Sequence, residues 1–104
     1  MTIEEIRALV LSADADAERY ESSRAGSESY TVWREVGRLD ATADDVHIEG
    51  WTFQVDRFTR DEYDAVADAI FEALDGCDRV AVAHRTDYER ESGYIHHIFD
   101  CEGF

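Results

Sequence analysis

The chain has 104 residues with 25 Asp or Glu against 10 basic residues, a formal net charge of -15. All the basic residues are Arg, and Lys, Asn and Pro are absent. A surface of this sign repels nucleic-acid phosphates and anionic membranes, the length suits one domain, and no apolar run approaches the roughly 20 residues that span a bilayer.

Thr2-Ile3-Glu4-Glu5 matches a capping box and predicts a helix start. Ile3, Ile6, Val10, Ala13, Ala17 and Tyr20 recur at helical spacing, so an amphipathic helix is expected to run to about Glu21. Ser22 to Ser29 is rich in Ser and has no apolar period, which predicts a mobile loop. Tyr30 to Val36 is β-branched and aromatic and stops at Gly37, as a strand does. A polar loop through Asp40, Thr42, Asp44 and Asp45 is expected next. In the run Val46 to Val55 the apolar phase slips at Gly50, from Val46 and Ile48 to Trp51, Phe53 and Val55, which suggests a bulge or bend. Thr59-Arg60-Asp61-Glu62 reads as a second capping box with Phe58 and Tyr63 as a hydrophobic staple, opening a helix from Asp61 to Leu74 that Asp75-Gly76 ends. Arg79 to Glu89 and Tyr94 to Glu102 alternate as a final hairpin. The expected fold is α+β, in the order α-β-β-α-β-β: a four-stranded, mainly antiparallel sheet with two helices on one face, forming one domain over residues 1–104.

The chemistry-bearing residues form no catalytic signature. His96 and His97 are adjacent, so on a strand their rings point to opposite faces and do not chelate one ion together. The last hairpin brings His84 near Phe99 or Cys101, and a His84, Cys101 pair would be half of a zinc site without its other half. Cys77 and Cys101 lack the spacing of a zinc knuckle and read as reduced core thiols. Asp14-Ala15-Asp16-Ala17-Glu18 alternates like a calcium loop but has Arg19 and Ala25 where the loop needs Gly and Glu. No metal or cofactor is therefore expected, and no catalytic residue is assigned. The acidic start from Met1 to Glu5 is unlike a basic signal peptide, so an intracellular site is expected. A sheet covered on one face leaves the other open, and Tyr30, Val32, Val46 and Ile48 on that open face would favour association with a partner.

The helix-first layout, Tyr30-Thr31-Val32-Trp33-Arg34-Glu35, the strand Trp51 to Asp56, the helix closing at Asp75-Gly76, and the ending Asp87 to Asp100 together resemble small tail-completion, or tail-terminator, proteins of tailed bacteriophages and prophages. The resemblance covers most of the chain. It implies a non-catalytic virion part at the head-to-tail junction that forms a ring, commonly a hexamer, and docks to tail-tube or connector proteins. It also implies a location in the host cytoplasm during assembly and then in the virion. An acidic lumen suits a ring through which DNA slides, because each neutralised phosphate strengthens binding. Arginine-carboxylate pairs are then expected across subunit interfaces, with Arg34, Arg57, Arg60, Arg85, Trp33 and Tyr30 as the candidate interface residues. Two alternatives stand beside this reading. One is an acidic DNA-mimic inhibitor of a nucleic-acid enzyme, with its carboxylates in a stripe. The other is a small enzyme whose pocket gathers His84, His96 or His97 with a carboxylate.

Overall fold

The hydroxyl of Thr2 accepts from the Glu5 amide and the Glu5 carboxylate accepts from the Thr2 amide, both at 3.1 Å, closing the expected capping box ahead of α1 (Ile3–Ala13). The computed structural model describes the backbone of residues 1–104 and every side chain except those of Ala41 and Ala43. α1 stops at Ala13, well short of Glu21. Asp14 turns extended there, and its carboxylate accepts from the Asp16 amide at 3.0 Å and faces the Arg57 guanidinium at 3.6 Å. Short acidic side chains compete with helical bonding in this way. Ala17 is buried all the same, and Glu18–Arg19 form a two-residue strand, β1.

The sheet has five strands in the order β1-β2-β3-β5-β4, with β2 (Ser29–Ala43), β3 (Val46–Thr59), β4 (Val80–Glu89) and β5 (Tyr94–Gly103). The fold is thus α+β with two helices, as expected, but the sheet is mixed and gains a fifth strand, because β1 pairs parallel to β2. Every other neighbouring pair is antiparallel. The expected loop from Asp40 to Asp45 is a tight hairpin instead, with Asp44 and Asp45 at φ of 50° and 62°. Two-residue turns need positive φ at both centres, and in a chain without Asn, Asp is the side chain that best tolerates it.

The expected bulge at Gly50 is also displaced. β3 runs without interruption, and the register shift falls across the ladder in β2, where Val36 is the extra residue between Glu35↔Phe53 and Gly37↔Thr52. Val46 and Ile48 therefore share one face of β3 with Gln54 and Phe58, and Trp51, Phe53 and Val55 share the other.

Both helices cover the face that carries Trp33, Phe53, Val55, Phe99 and Cys101, and Ile6, Val10, Ile70 and Leu74 complete this core. α2 (Ala65–Asp75) begins four residues later than expected, capped by the Asp64 carboxylate, which accepts from the Val66 amide at 3.3 Å. Thr59 belongs to β3, and its hydroxyl accepts from the Asp61 amide. Phe58 faces away from α2, and Tyr63 is 83% exposed, so the expected staple does not form. Asp64 is held by Arg57 at 2.7 Å, an interior partner that fixes the start of the helix. At the far end, Arg79 bonds Glu5 at 2.6 Å, ties α1 to the start of β4, and holds that carboxyl down to about 2.

Candidate functional site

Alternation along the strands places Tyr30, Val32 and Arg34 of β2, Gln54, Asp56 and Phe58 of β3, Tyr94, His96 and Ile98 of β5, and Arg85 and Asp87 of β4 on the face that the helices leave uncovered. One end of this face is an aromatic cluster. Tyr30 stacks on Phe58 at 4.7 Å, Phe58 stacks on His96 at 4.1 Å, and Tyr94 meets Tyr30 and Phe58 edge-on at 5.7 and 5.9 Å. Beside it, the Nε2 of His96 lies 2.7 Å from Oδ1 of Asp56, and the Gln54 amide donates to both Asp56 oxygens at 2.8 and 3.0 Å. A carboxylate only accepts, so this contact puts the imidazole proton on Nε2. Burial, followed by the charges of Tyr94, Glu89 and Asp56, pushes the Tyr30 phenol up.

The middle of the face holds a groove of about 410 Å³ floored by the small side chains of Thr52, Ala81 and Ala83 and edged by Val36, Asp100 and Glu102. None of His84, His96 and His97 lines it. Among the described residues, no group of three or more His, Cys, Asp or Glu side chains is arranged to hold a metal ion. Cys101 is buried and lies opposite Val82, while His84 lies opposite Phe99 and touches His97. His96 and His97 do point to opposite faces.

The third feature is an arm. β3 pairs with β5 only over Trp51–Thr59, so the strand segment Val46–Gly50 is paired with Leu39–Ala43 alone, and only its base, at Gly50, passes against the end of β5. This two-stranded extension contributes to a molecule measuring 50 × 22 × 22 Å. Its uncovered side shows Val46 at 59% and Ile48 at 36% exposure, with Val36 at 57% where the arm leaves the sheet.

The six expected interface residues divide between surface and interior. Tyr30, Arg34 and Arg85 lie on the uncovered face, and Arg85 bonds Asp100 through Nε at 3.2 Å. Trp33 is 1% exposed and belongs to the core. Arg57 is interior too: its side chain is 7% exposed and bonds Asp64, Asp14 and the Thr31 hydroxyl of its own chain. Arg60 sits over the Tyr94 ring at 4.2 Å and donates to the Ser92 and Ser27 carbonyls. With Tyr94, whose hydroxyl also donates to Ser27, it fastens the 22–28 loop to the β4–β5 turn. The arm was the feature hidden from sequence, although the exposed-face pattern of Val46 and Ile48 pointed toward it.

No protein-family model matches the chain, and no curated protein matches it in sequence. No helix among the described residues is long and apolar enough to cross a membrane.

Proposed function

We propose that the chain is a structural assembly protein of the tail-completion type, from a tailed phage or prophage, which self-associates through its hairpin arm and uncovered sheet face into a ring that docks on a tail tube or connector. The observation that carries the reading is the arm. A two-stranded ribbon is marginal in water without a third strand or a packed face, yet this one displays Val46 and Ile48. A neighbouring copy laid against the arm supplies the missing cover. The net charge of -15 opposes that contact at long range and fits a lumen that DNA slides past.

The alternatives have less support. A DNA mimic needs its carboxylates on one track, and the exposed acids here sit on separate elements, such as Glu4 on α1, Asp44 in the hairpin turn, Asp68 on α2 and Glu91 in the last turn. A small enzyme needs a pocket that joins a histidine to a carboxylate; His96 does pair with Asp56, but neither lines the groove.

Light scattering after size exclusion, across protein concentration at low and high salt, tests the proposal. A multimer that grows with concentration, strengthens with salt as screening relieves the repulsion, and weakens in Ile48→Asp is the expected result. A monomer under every condition that also fails to decorate the ends of purified tail tubes in electron micrographs would overturn it.

A further inference from the structure

β4 is an edge strand ten residues long, and its outer side is unpaired. The orientation of its backbone follows from one bond. The Phe104 amide donates to the Arg79 carbonyl at 2.8 Å, just ahead of the regular register Val80↔Gly103 through Glu89↔Tyr94. Residues 79 and 104 are thus a hydrogen-bonded pair, and such pairs alternate along an antiparallel ladder. The odd-numbered residues of β4 turn their amides and carbonyls toward β5, while Val82, His84, Thr86 and Tyr88 turn theirs outward. Among the described residues, no backbone group of another element bonds these outward positions. The strand lacks the Lys, Pro and bulge that usually blunt an edge.

We propose that β4 pairs antiparallel with β4 of a second copy about a two-fold axis at Thr86, joining two five-stranded sheets into one. Charge selects this register. With Thr86 opposite its own counterpart, Arg85 of each copy faces Asp87 of the other, giving two opposite-charge pairs by symmetry. Centring the axis on residue 85 sets Arg against Arg, and centring it on residue 87 sets Asp against Asp between two Arg85–Glu89 pairs, in which one Glu89 carboxylate oxygen is already buried in its own chain. Axes between residues are excluded, because they oppose an outward backbone position with an inward one.

The ladder geometry favours the same arrangement. Outward-pointing His84, Thr86 and Tyr88 form the hydrogen-bonded pairs, about six bonds in all. Arg85 and Asp87 then fall at the non-hydrogen-bonded positions, where side chains come closest. Arg85 contacts Asp100 through Nε, which leaves its two terminal nitrogens for the partner. On the helix-side face, Tyr88, 60% exposed, comes to lie opposite His84. The contact closes at two copies, lies on the sheet edge opposite β1, and does not depend on the arm or on the tail-completion reading.

Charge exchange tests it by sedimentation or light scattering in the Ile48→Asp background, which removes the arm contact. Arg85→Asp and Asp87→Arg each oppose like charges at both pairs, so each variant alone is expected to be monomeric. Mixing the two variants restores both pairs and is expected to return a dimer. In that dimer, hydrogen exchange slows at the amides of His84, Thr86 and Tyr88 and speeds up again on dilution. A parent protein that stays monomeric at every concentration would overturn the proposal. So would single variants that dimerise as the parent does, or folded single variants, judged by circular dichroism, whose mixture does not dimerise.

Discussion

The Nε2 of His84 lies 2.9 Å from the Nδ1 of His97 across the β4–β5 ladder, with the His84 ring stacked on Phe99 at 4.5 Å. One imidazole donates to the other, so the contact needs at least one acceptor nitrogen without a proton. Protonating both rings removes that acceptor and places two cations side by side.

Burial lowers the basicity of both rings below the usual 6.5; for His97 the neighbouring His84 and Arg57 add to this, while Asp64 and Asp68 oppose it. The unfolded chain therefore takes up protons at these residues at a higher pH than the folded chain does. Stability from the pair is complete above about 6.5 and declines as pH falls below it. Urea midpoints measured from about pH 8 to about pH 5 should drop more steeply in the parent protein than in His84→Gln/His97→Gln. Parallel profiles would show that the pair does not titrate in this way.

Arg57 is the most heavily committed charge in the interior, placed between Asp14 at 3.6 Å and Asp64 at 2.7 Å with the Thr31 hydroxyl at 3.2 Å. Replacing it with Met strands two nearly buried carboxylates, and breaking such a group costs about 3–5 kcal/mol. Adding Asp14→Asn and Asp64→Asn to Arg57→Met removes the stranded charges, and the amide oxygen introduced by Asp64→Asn still caps α2, so part of the loss is expected to return. Denaturation of the single and triple variants measures both values, and equal stabilities would argue against this account.

The elements that local pattern specifies were legible in the sequence, and those set by long-range partners were not. Thr2 and Glu5 cap their helix with atoms three residues apart, and the β4–β5 hairpin shows its alternation directly, so both were readable. The ends of the helices were decided elsewhere. Arg57 of β3 draws Asp14 out of α1 and Asp64 to the start of α2, overriding an apolar period that continued through Ala17 and a Thr59 box that looked complete. The bulge at Val36 left no mark on its partner strand; the apparent slip in phase at Gly50 is the two faces of one unbroken strand, read in turn. The open face was foreseeable from alternation, but whether an arginine reached it depended on strand pairing; this is why Arg34 and Arg85 surface there and Arg57 does not.

The two thiols should react very differently. Burial, with a smaller contribution from the Asp100 charge, pushes the Cys101 thiol up to about 12, whereas Cys77 is only half-buried at the end of α2. The thiolate is the reactive form. Iodoacetamide at mildly alkaline pH should label Cys77 in the folded protein and reach Cys101 only after denaturation, as peptide mass mapping will show. Equal labelling of both in the native state would mean that the sheet opens around Phe53 and Phe99 more readily than their burial implies.

Gly50 and Gly37 both sit in the long hairpin, yet only one is needed for its lack of a side chain. A Cβ on Gly50 would stand 1.9 Å from the Gly103 carbonyl oxygen and 3.1 Å from the Phe104 Cα, where the end of β5 passes beneath the base of the arm. Backbone must move to admit it, and overpacking of this kind costs about 1–3 kcal/mol. At Gly37 the nearest atom to an added Cβ is the Thr52 hydroxyl oxygen at 3.6 Å, an ordinary contact. Gly50→Ala is therefore expected to lower the thermal midpoint clearly, and to weaken self-association by shifting the arm relative to the sheet. Gly37→Ala is expected to change stability by no more than about 0.5 kcal/mol. Calorimetry and light scattering on the two variants separate the effects: loss of association in Gly50→Ala with retained stability would place the glycine's role in aiming the arm, and loss of both would place it in the packing of the β5 end. Identical behaviour of the two variants would contradict the close passage itself.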